Sequence, residues 1–241
     1  RIDLGAGRAT TGPITDFALQ QDRSKQFRSD SDQQILELVA WLEHGFPEDH
    51  PFSQAPLHTI DSLPELHVLG SSPWSAAAAA RLGLRYVFAG FINQAGAKKI
   101  LGAYRSDFVA SNGAAGIRSP QVTLSVHVVC ADTEEEARKQ IAPVSIMYQN
   151  LSKGVIDVQL PTPDKAVELL GGLPALTPYV AGSGIPPKFV AGTPEQVHEQ
   201  LMQLGKDLSV EEIIVQDMMT DHQARLHSYR LMAEAFGLPG N

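Results

Sequence analysis

The sequence contains one cysteine, no cluster of basic residues and no long apolar run, and each absence argues against a class of protein. With Cys130 as its single cysteine among 241 residues, the chain cannot form an internal disulfide, which favours a reducing, cytoplasmic location. The formal net charge is −8 and the densest basic run is "AKKI" at 97–100, so we expect no nucleic-acid partner. No apolar stretch reaches the 18 residues of a membrane-spanning helix, so we expect no membrane partner.

The familiar nucleotide-binding and hydrolase motifs are missing as well. The stretch "GAGRATTGP" at 5–13 contains G-x-G, but Thr10 stands where a dinucleotide-binding fingerprint needs its third glycine. Pro13 and Ile14 replace the lysine and hydroxyl residue of a P-loop. The chain has no G-x-S-x-G, no H-E-x-x-H and no pair of cysteines, so neither a serine hydrolase nor a zinc site is expected.

Strand-like and helix-like segments alternate along the chain in five units. The predicted strands are 2–5, 66–69, 85–91, 122–131 and 211–217. Their near-continuous apolar character is typical of parallel strands that are buried on both faces. This alternation allows a doubly wound open sheet or an eight-fold barrel. Because the chain opens on a glycine-rich strand without a methionine, we expect three units upstream of Arg1 and hence a (β/α)8 TIM-type barrel, with about five of its eight units in this chain.

We expect residues 1–241 to form a single barrel domain that carries one insertion. A helix begins after Thr133, and a Pro- and Gly-rich segment, 143–188, then interrupts the regular alternation before the last strand. Long insertions in compact repeating units are commonly functional. This segment therefore predicts an active-site lid.

The stretch "VLGSSPWSAAAAARLGL" at 68–84 passes from a strand into an alanine-rich helix with no acid at its start. Pro73 suits the first helical position, which makes Ser72 the N-cap of a helix from 73 to 82. Ser72 could serve only as this cap. The alternative is an anion site built from helix N–H groups together with the hydroxyls of Ser71, Ser72 and Ser75.

Arg8 follows the first predicted strand in the same way that Ser72 follows the second. The glycines around Arg8 can be read as simple turn chemistry, but a guanidinium at the carboxyl end of a barrel strand is well shaped to bind phosphate. Adjacent parallel strands end at the same edge of the sheet. The sequence therefore predicts one phosphate site shared by Arg8 and the helix that begins after Ser72.

Other conspicuous residues are expected to be structural. His127 alternates within an apolar strand and is predicted to be a core histidine, while Cys130 should behave as a small buried hydrophobe. Asp221 is expected to begin the last helix. Trp74 is expected to pack, although it stands beside the anion site.

Five blocks of the sequence resemble the bacterial luciferase-like flavin monooxygenases in order and spacing. The blocks are "RIDLGAGRA", "LHVLGSSPWSAAAAARLGLRYVFAGFINQAGA", "VVCADTEEEAR", "VAGTPEQVHEQL" and "DHQARLHSYRLMAEAF". The resemblance covers essentially the whole chain, as the carboxyl-terminal two-thirds of such a protein. It implies an eight-stranded barrel that binds reduced FMN without a covalent link and uses O2 to oxidise a small organic substrate such as an aldehyde. It also implies a separate flavin reductase and a homodimer.

The resemblance assigns roles to residues of the anion site. Arg8 matches an arginine that contacts the flavin phosphate, and Thr10 matches a contact beside the flavin. Ser72 matches a serine whose backbone amide meets the phosphate, with Ser71 next to it, and Ser75 matches a nearby hydroxyl contact. No catalytic residue is named, because the catalytic histidine of the family lies in the amino-terminal third.

The chain also departs from the family pattern, and alternatives stay open. Phe17 stands where a second phosphate-binding arginine is expected. Gly7 replaces the reactive cysteine of the light-emitting enzymes, which argues against bioluminescence. One alternative function is hydride transfer with the deazaflavin F420 on the same fold. Another is a non-catalytic flavin-binding protein or an inactive subunit of a heteromer.

Overall fold

The computed structural model describes residues 2–8, 14, 17–18, 24, 31–43, 45–56, 62–155 and 159–239. The strands found there are β1 Asp3–Gly7, β2 Glu65–Gly70, β3 Arg85–Ala89, β4 Val122–Cys130, β5 Val190–Gly192 and β6 Glu212–Gln216. The helices are α1 Ser31–Leu42, α2 Pro73–Leu82, α3 Ala97–Ser106, α4 Glu134–Ser152, α5 Pro163–Leu170, α6 Pro194–Leu208 and α7 His222–Ala235. Thr10, one of the predicted site residues, lies outside the described residues.

The chain divides into two compact units. Unit 1 comprises 1–88 and 99–122, and unit 2 comprises 89–98 and 123–241. Within the described residues, no helix combines the length and the apolar character that crossing a bilayer requires.

Unit 1 contains three neighbouring parallel strands. β1 pairs with β2 so that Asp3 lies opposite Glu65 and Gly7 opposite Leu69. β2 pairs with β3, with Gly70 opposite Phe88. Because the strands are parallel, their carboxyl ends lie at one edge, where the sequence predicts the anion site.

Helix α2 packs on β2, and its ends are defined by its sequence. Ser72 is the N-cap, Pro73 occupies the first turn, and Gly83 ends the helix with a left-handed φ of 62°. Between these ends, small side chains form the buried face; they are Ser75, Ala76, Ala78, Ala79 and Ala80. The predicted helix from 73 to 82 is therefore confirmed, and its short side chains let it lie close to the sheet.

Unit 2 is built around β4. The first part of β4 pairs in parallel with β6, from Thr123 opposite Glu212 to His127 opposite Gln216. Its last three residues pair with β5. One hydrophobic cluster fills the space between these strands and α4; its buried members are Val129, Ala131, Ala137, Ile141, Val144, Ala191 and Met219.

Two features of unit 2 differ from the expectation. The helix after Thr133 continues through Pro143, where the sequence analysis starts the insertion, and ends at Ser152. Proline removes one helical hydrogen bond, but Pro143 lies in the buried face of α4, where packing supports the helix. The short strand β5 adds a sixth strand to the five that were predicted.

Candidate functional site

The predicted anion site lies where β1 and β2 end side by side. The last residue of β1, Gly7, is paired with Leu69 of β2, so Arg8 leaves the sheet next to the loop that joins β2 to α2. Ser71 and Ser72 form the bend of that loop. The two predicted halves of the site therefore share one edge of unit 1.

Arg8 reaches the first turn of α2. Its guanidinium carbon Cζ lies 4.9 Å from the centre of the Trp74 ring, within the range of a cation–π interaction. Trp74 is the second residue of α2. The guanidinium thus lies against a side chain of the first turn of this helix.

The N-terminus of α2 is suited to an anion. Ser72 has extended backbone angles, φ −114° and ψ 157°, and its Oγ accepts a hydrogen bond from the Ser75 N–H at 3.4 Å. Pro73 has no N–H, and the first turn contains no acidic residue. The positive end of the helix dipole therefore meets no carboxylate from its own first turn.

Ser75 makes hydrogen-bond contacts within the protein. Its side chain is 3% exposed, and its Oγ donates to the Ser72 carbonyl at 2.9 Å and lies 3.1 Å from the Tyr86 hydroxyl. Tyr86 in turn donates to the Gly70 carbonyl at 3.1 Å. Burial raises the pKa of Tyr86 to about 12, despite a lowering contribution from the Ser75 hydrogen bond, so the phenol stays protonated. The Ser75 hydroxyl therefore makes its hydrogen bond to the loop itself, at the Ser72 carbonyl.

Gly70 is required by this arrangement. A Cβ added at this position would lie 2.3 Å from Ser75 Oγ and 2.5 Å from Ser75 Cβ. Any side chain here would push α2 away from the end of β2. The glycine, Ser75 and Tyr86 together fix the shape of the loop.

Of the predicted site residues, the structure brings Arg8, Ser71, Ser72 and Ser75 to one edge of unit 1. The part that Tyr86 plays in the loop was not predicted from the sequence, nor was the contact of Trp74 with Arg8. A hydroxyl within the otherwise apolar run "YVFA" was the available signal for Tyr86. Trp74 was expected to pack, and it packs against Arg8.

A second polar cluster lies at the opposite end of the same strands. Asp3, Glu65 and His67 place possible metal-ligand atoms within 4.8 Å of one another. However, the Nε of Arg85 lies 3.4 Å from a Glu65 carboxylate oxygen and already supplies positive charge there. We describe this cluster as an ion-pair network.

In unit 2, His127 and Cys130 are structural, as the sequence predicts. His127 is 2% exposed, its Nε2 lies 2.7 Å from the Tyr148 hydroxyl, and burial lowers its pKa. Cys130 is buried, and burial raises the pKa of its thiol to about 11. Asp221 caps α7 by accepting from the N–H groups of Gln223 and Ala224.

Comparison with known proteins places the chain among related sequences. A family model described as luciferase-like monooxygenase matches residues 29–212. Two proteins of Bacillus subtilis (strain 168) are similar over 98% of the chain. Uncharacterized protein YwcH is 35% identical, and the match covers 69% of its length. N-acetyl-S-alkylcysteine monooxygenase is 30% identical, and the match covers 68% of its length.

Solved structures share the fold. The crystal structure of apo-MsnO8 is 34% identical with a TM-score of 0.80, covering 100% of this chain and 69% of that one. The oxygenating constituent of 3,6-diketocamphane monooxygenase from Pseudomonas putida, in complex with FMN, is 16% identical with a TM-score of 0.58 (99% and 72% covered). The F420-dependent tetrahydromethanopterin reductase of Methanopyrus kandleri is 13% identical with a TM-score of 0.56 (98% and 73% covered). These likenesses confirm the predicted fold class, that of the luciferase-like TIM-type barrels.

Proposed function

This chain belongs to the luciferase-like monooxygenase family, and we propose that it is an FMN-dependent oxidoreductase. In this proposal, reduced FMN and O2 oxidise a small organic substrate such as an aldehyde. The observation that carries the cofactor assignment is the position of the Arg8 guanidinium, whose Cζ lies 4.9 Å from the ring centre of Trp74 in the acid-free first turn of α2.

The residues at this edge fit a phosphate monoester. Arg8 would bind the phosphate oxygens through its N–H groups, and the backbone amides after Ser72 would bind them at the positive end of α2. Ser71 lies next to these amides in the same bend. Ser75 and Tyr86 would act one step away, by holding the Gly70 and Ser72 carbonyls and so the direction of the loop.

When bound, reduced FMN supplies the electrons for the reaction with O2. A separate flavin reductase would deliver it, and we propose a homodimer, following the family resemblance. Monooxygenase names among the relatives and solved structures support an oxygen-dependent reaction.

We also propose that residues 171–188, the last part of the predicted insertion, act as an active-site lid. Tyr179 donates from its hydroxyl to Asp207 of α6 at 2.7 Å, and the Gly182 N–H donates to the same carboxylate at 2.6 Å. Gly182 and Gly184 have left-handed φ angles of 80° and 64°. Backbone rotation at these glycines would let the segment open and close, while its hydrogen bonds to Asp207 hold it in one position.

A second candidate is hydride transfer with F420, since an F420-dependent reductase has the same fold. A third is flavin binding without catalysis. The absorbance spectrum of the purified protein and titrations with FMN and F420 test the cofactor. Supplying reduced FMN and O2 with a panel of aldehydes then tests the reaction. Carboxylic acid formed above the free-flavin background supports the proposal, whereas FMN binding without product supports the non-catalytic alternative.

A further inference from the structure

The pairing of Arg8 with Trp74 carries an inference beyond the assignment of the phosphate site. Arg8 lies just beyond the end of β1 and is exposed, whereas Trp74 is half-buried in the first turn of α2. The 4.9 Å contact therefore links Arg8, which follows the end of β1, to α2, the helix that follows β2.

The positive charge of Arg8 requires an attractive contact in order to lie near the start of α2. A guanidinium beside a helix N-terminus is repelled by the positive end of the helix dipole. The first turn of α2 contains no acidic side chain that would offset the repulsion. The negative face of the indole attracts the cation and keeps Arg8 at the helix end before any anion arrives.

Stacking also leaves the guanidinium able to bind. A guanidinium that lies parallel to a ring contacts it with its face and donates hydrogen bonds in its own plane. In that orientation, contact with Trp74 and bidentate binding of a phosphate do not compete. A lysine ammonium has no such flat face and could not satisfy both partners equally well.

We infer that Trp74 is a positioning residue for the phosphate site, which holds the Arg8 guanidinium against the N-terminus of α2. This inference rests on the proposed function in so far as the phosphate belongs to FMN. Trp74 acts through Arg8, so its loss should affect ligands that carry a phosphate and spare those that lack one.

The test compares the dissociation constants of FMN and riboflavin, which differ by the phosphate. Trp74→Leu should raise the dissociation constant of FMN by about two- to fivefold, the scale of one cation–π contact, and leave that of riboflavin unchanged. Trp74→Phe, which keeps an aromatic face, should retain most of the FMN affinity. In an Arg8→Ala background, Trp74→Leu should have no further effect on FMN. Trp41→Leu is the matched control, because the other tryptophan packs on Phe46 elsewhere in unit 1 and should leave the preference for FMN unchanged.

A flavin-free measurement separates this inference from the proposed function. In Trp41→Phe protein, Trp74 is the remaining tryptophan of these 241 residues, and the part of the fluorescence that a further Trp74→Phe change removes should respond to inorganic phosphate only when Arg8 is present. If wild-type protein does not prefer FMN to riboflavin, but phosphate still changes the fluorescence through Arg8, the flavin assignment is wrong and the pairing stands. If Trp74→Leu keeps the full preference for FMN, or the fluorescence response survives Arg8→Ala, Trp74 does not position Arg8.

Discussion

The hydroxyl of Tyr86 donates to the carbonyl of Gly70 at 3.1 Å, so β3 holds the loop through which β2 passes into α2. The same hydroxyl lies 3.1 Å from Ser75 Oγ, which binds the carbonyl of Ser72. A single buried phenol thus supports both the strand end and the helix cap. The loop that we assign to phosphate binding is therefore shaped by two buried side chains, Ser75 and Tyr86.

Tyr86→Phe should therefore weaken both the protein and the site. Loss of the hydroxyl should lower the free energy of unfolding by about 1 kcal/mol and raise the FMN dissociation constant up to about fivefold. Urea unfolding and FMN titration measure the two effects.

Tyr104→Phe is the matched control, because Tyr104 is equally buried in unit 1 and donates to the Leu84 carbonyl at 2.8 Å, away from the loop. It should cost similar stability and leave FMN affinity unchanged. Equal losses of FMN affinity in both variants would show that Tyr86 has no special part in the loop.

Gly70→Ala should destabilise the protein by about 1–3 kcal/mol, because its Cβ would overlap Ser75. The clash involves both Oγ and Cβ of Ser75. Ser75→Gly should therefore restore stability to the Gly70→Ala variant, and Ser75→Ala should not. Gly102→Ala, in α3 with no atom within 4 Å of the added Cβ, is the control and should be neutral or stabilising. Thermal unfolding of these four variants and of the Ser75→Gly and Ser75→Ala single variants measures these differences; additive effects at 70 and 75 would contradict the clash.

The helices around the site were easier to predict than the contacts that shape it. The bounds of α2 follow from local signals, since Ser72 and Pro73 fix its start and its alanines favour helix. The insertion was predicted to begin at Pro143, but α4 continues through this residue, because burial in the face of α4 overrides the local cost of proline. β5, with three residues, is too short to show a period. The bond from Tyr86 to Gly70 joins residues 16 positions apart, and no local pattern contains it.

Acid should destabilise the protein through His127. Burial lowers the pKa of this histidine and Lys188 lowers it further, whereas the Gln216 carbonyl and Asp217 raise it. In the unfolded chain the pKa of histidine is about 6.5, so the unfolded chain binds the proton more readily than the folded chain. The free energy of unfolding should fall as the pH drops through that value and down to the folded-state pKa.

Urea unfolding between pH 8 and pH 5 tests this dependence. His127→Gln should flatten the curve relative to that of wild-type protein. An unaltered pH dependence in His127→Gln would assign the acid sensitivity to other groups.

Asp207→Ala should loosen the proposed lid. Alanine lacks the carboxylate oxygen that accepts both hydrogen bonds, from Tyr179 and from Gly182, so residues 171–188 should exchange amide hydrogens faster and be cleaved more readily by protease. The same hydrogen bonds lower the pKa of Asp207, so in wild-type protein the anchor should persist until acid reaches that lowered value. Glu199→Ala, at an exposed position on the same helix, is the control; equal exchange in both variants would mean that Asp207 does not hold the segment.

The affinity of Arg8→Ala protein for FMN tests the phosphate site most directly. Loss of a charged hydrogen-bond donor should raise the FMN dissociation constant by about tenfold to a hundredfold. Arg81→Ala, which removes the same charge from the last turn of α2, should leave it unchanged. An FMN dissociation constant that is the same in Arg8→Ala and wild-type protein would contradict the account.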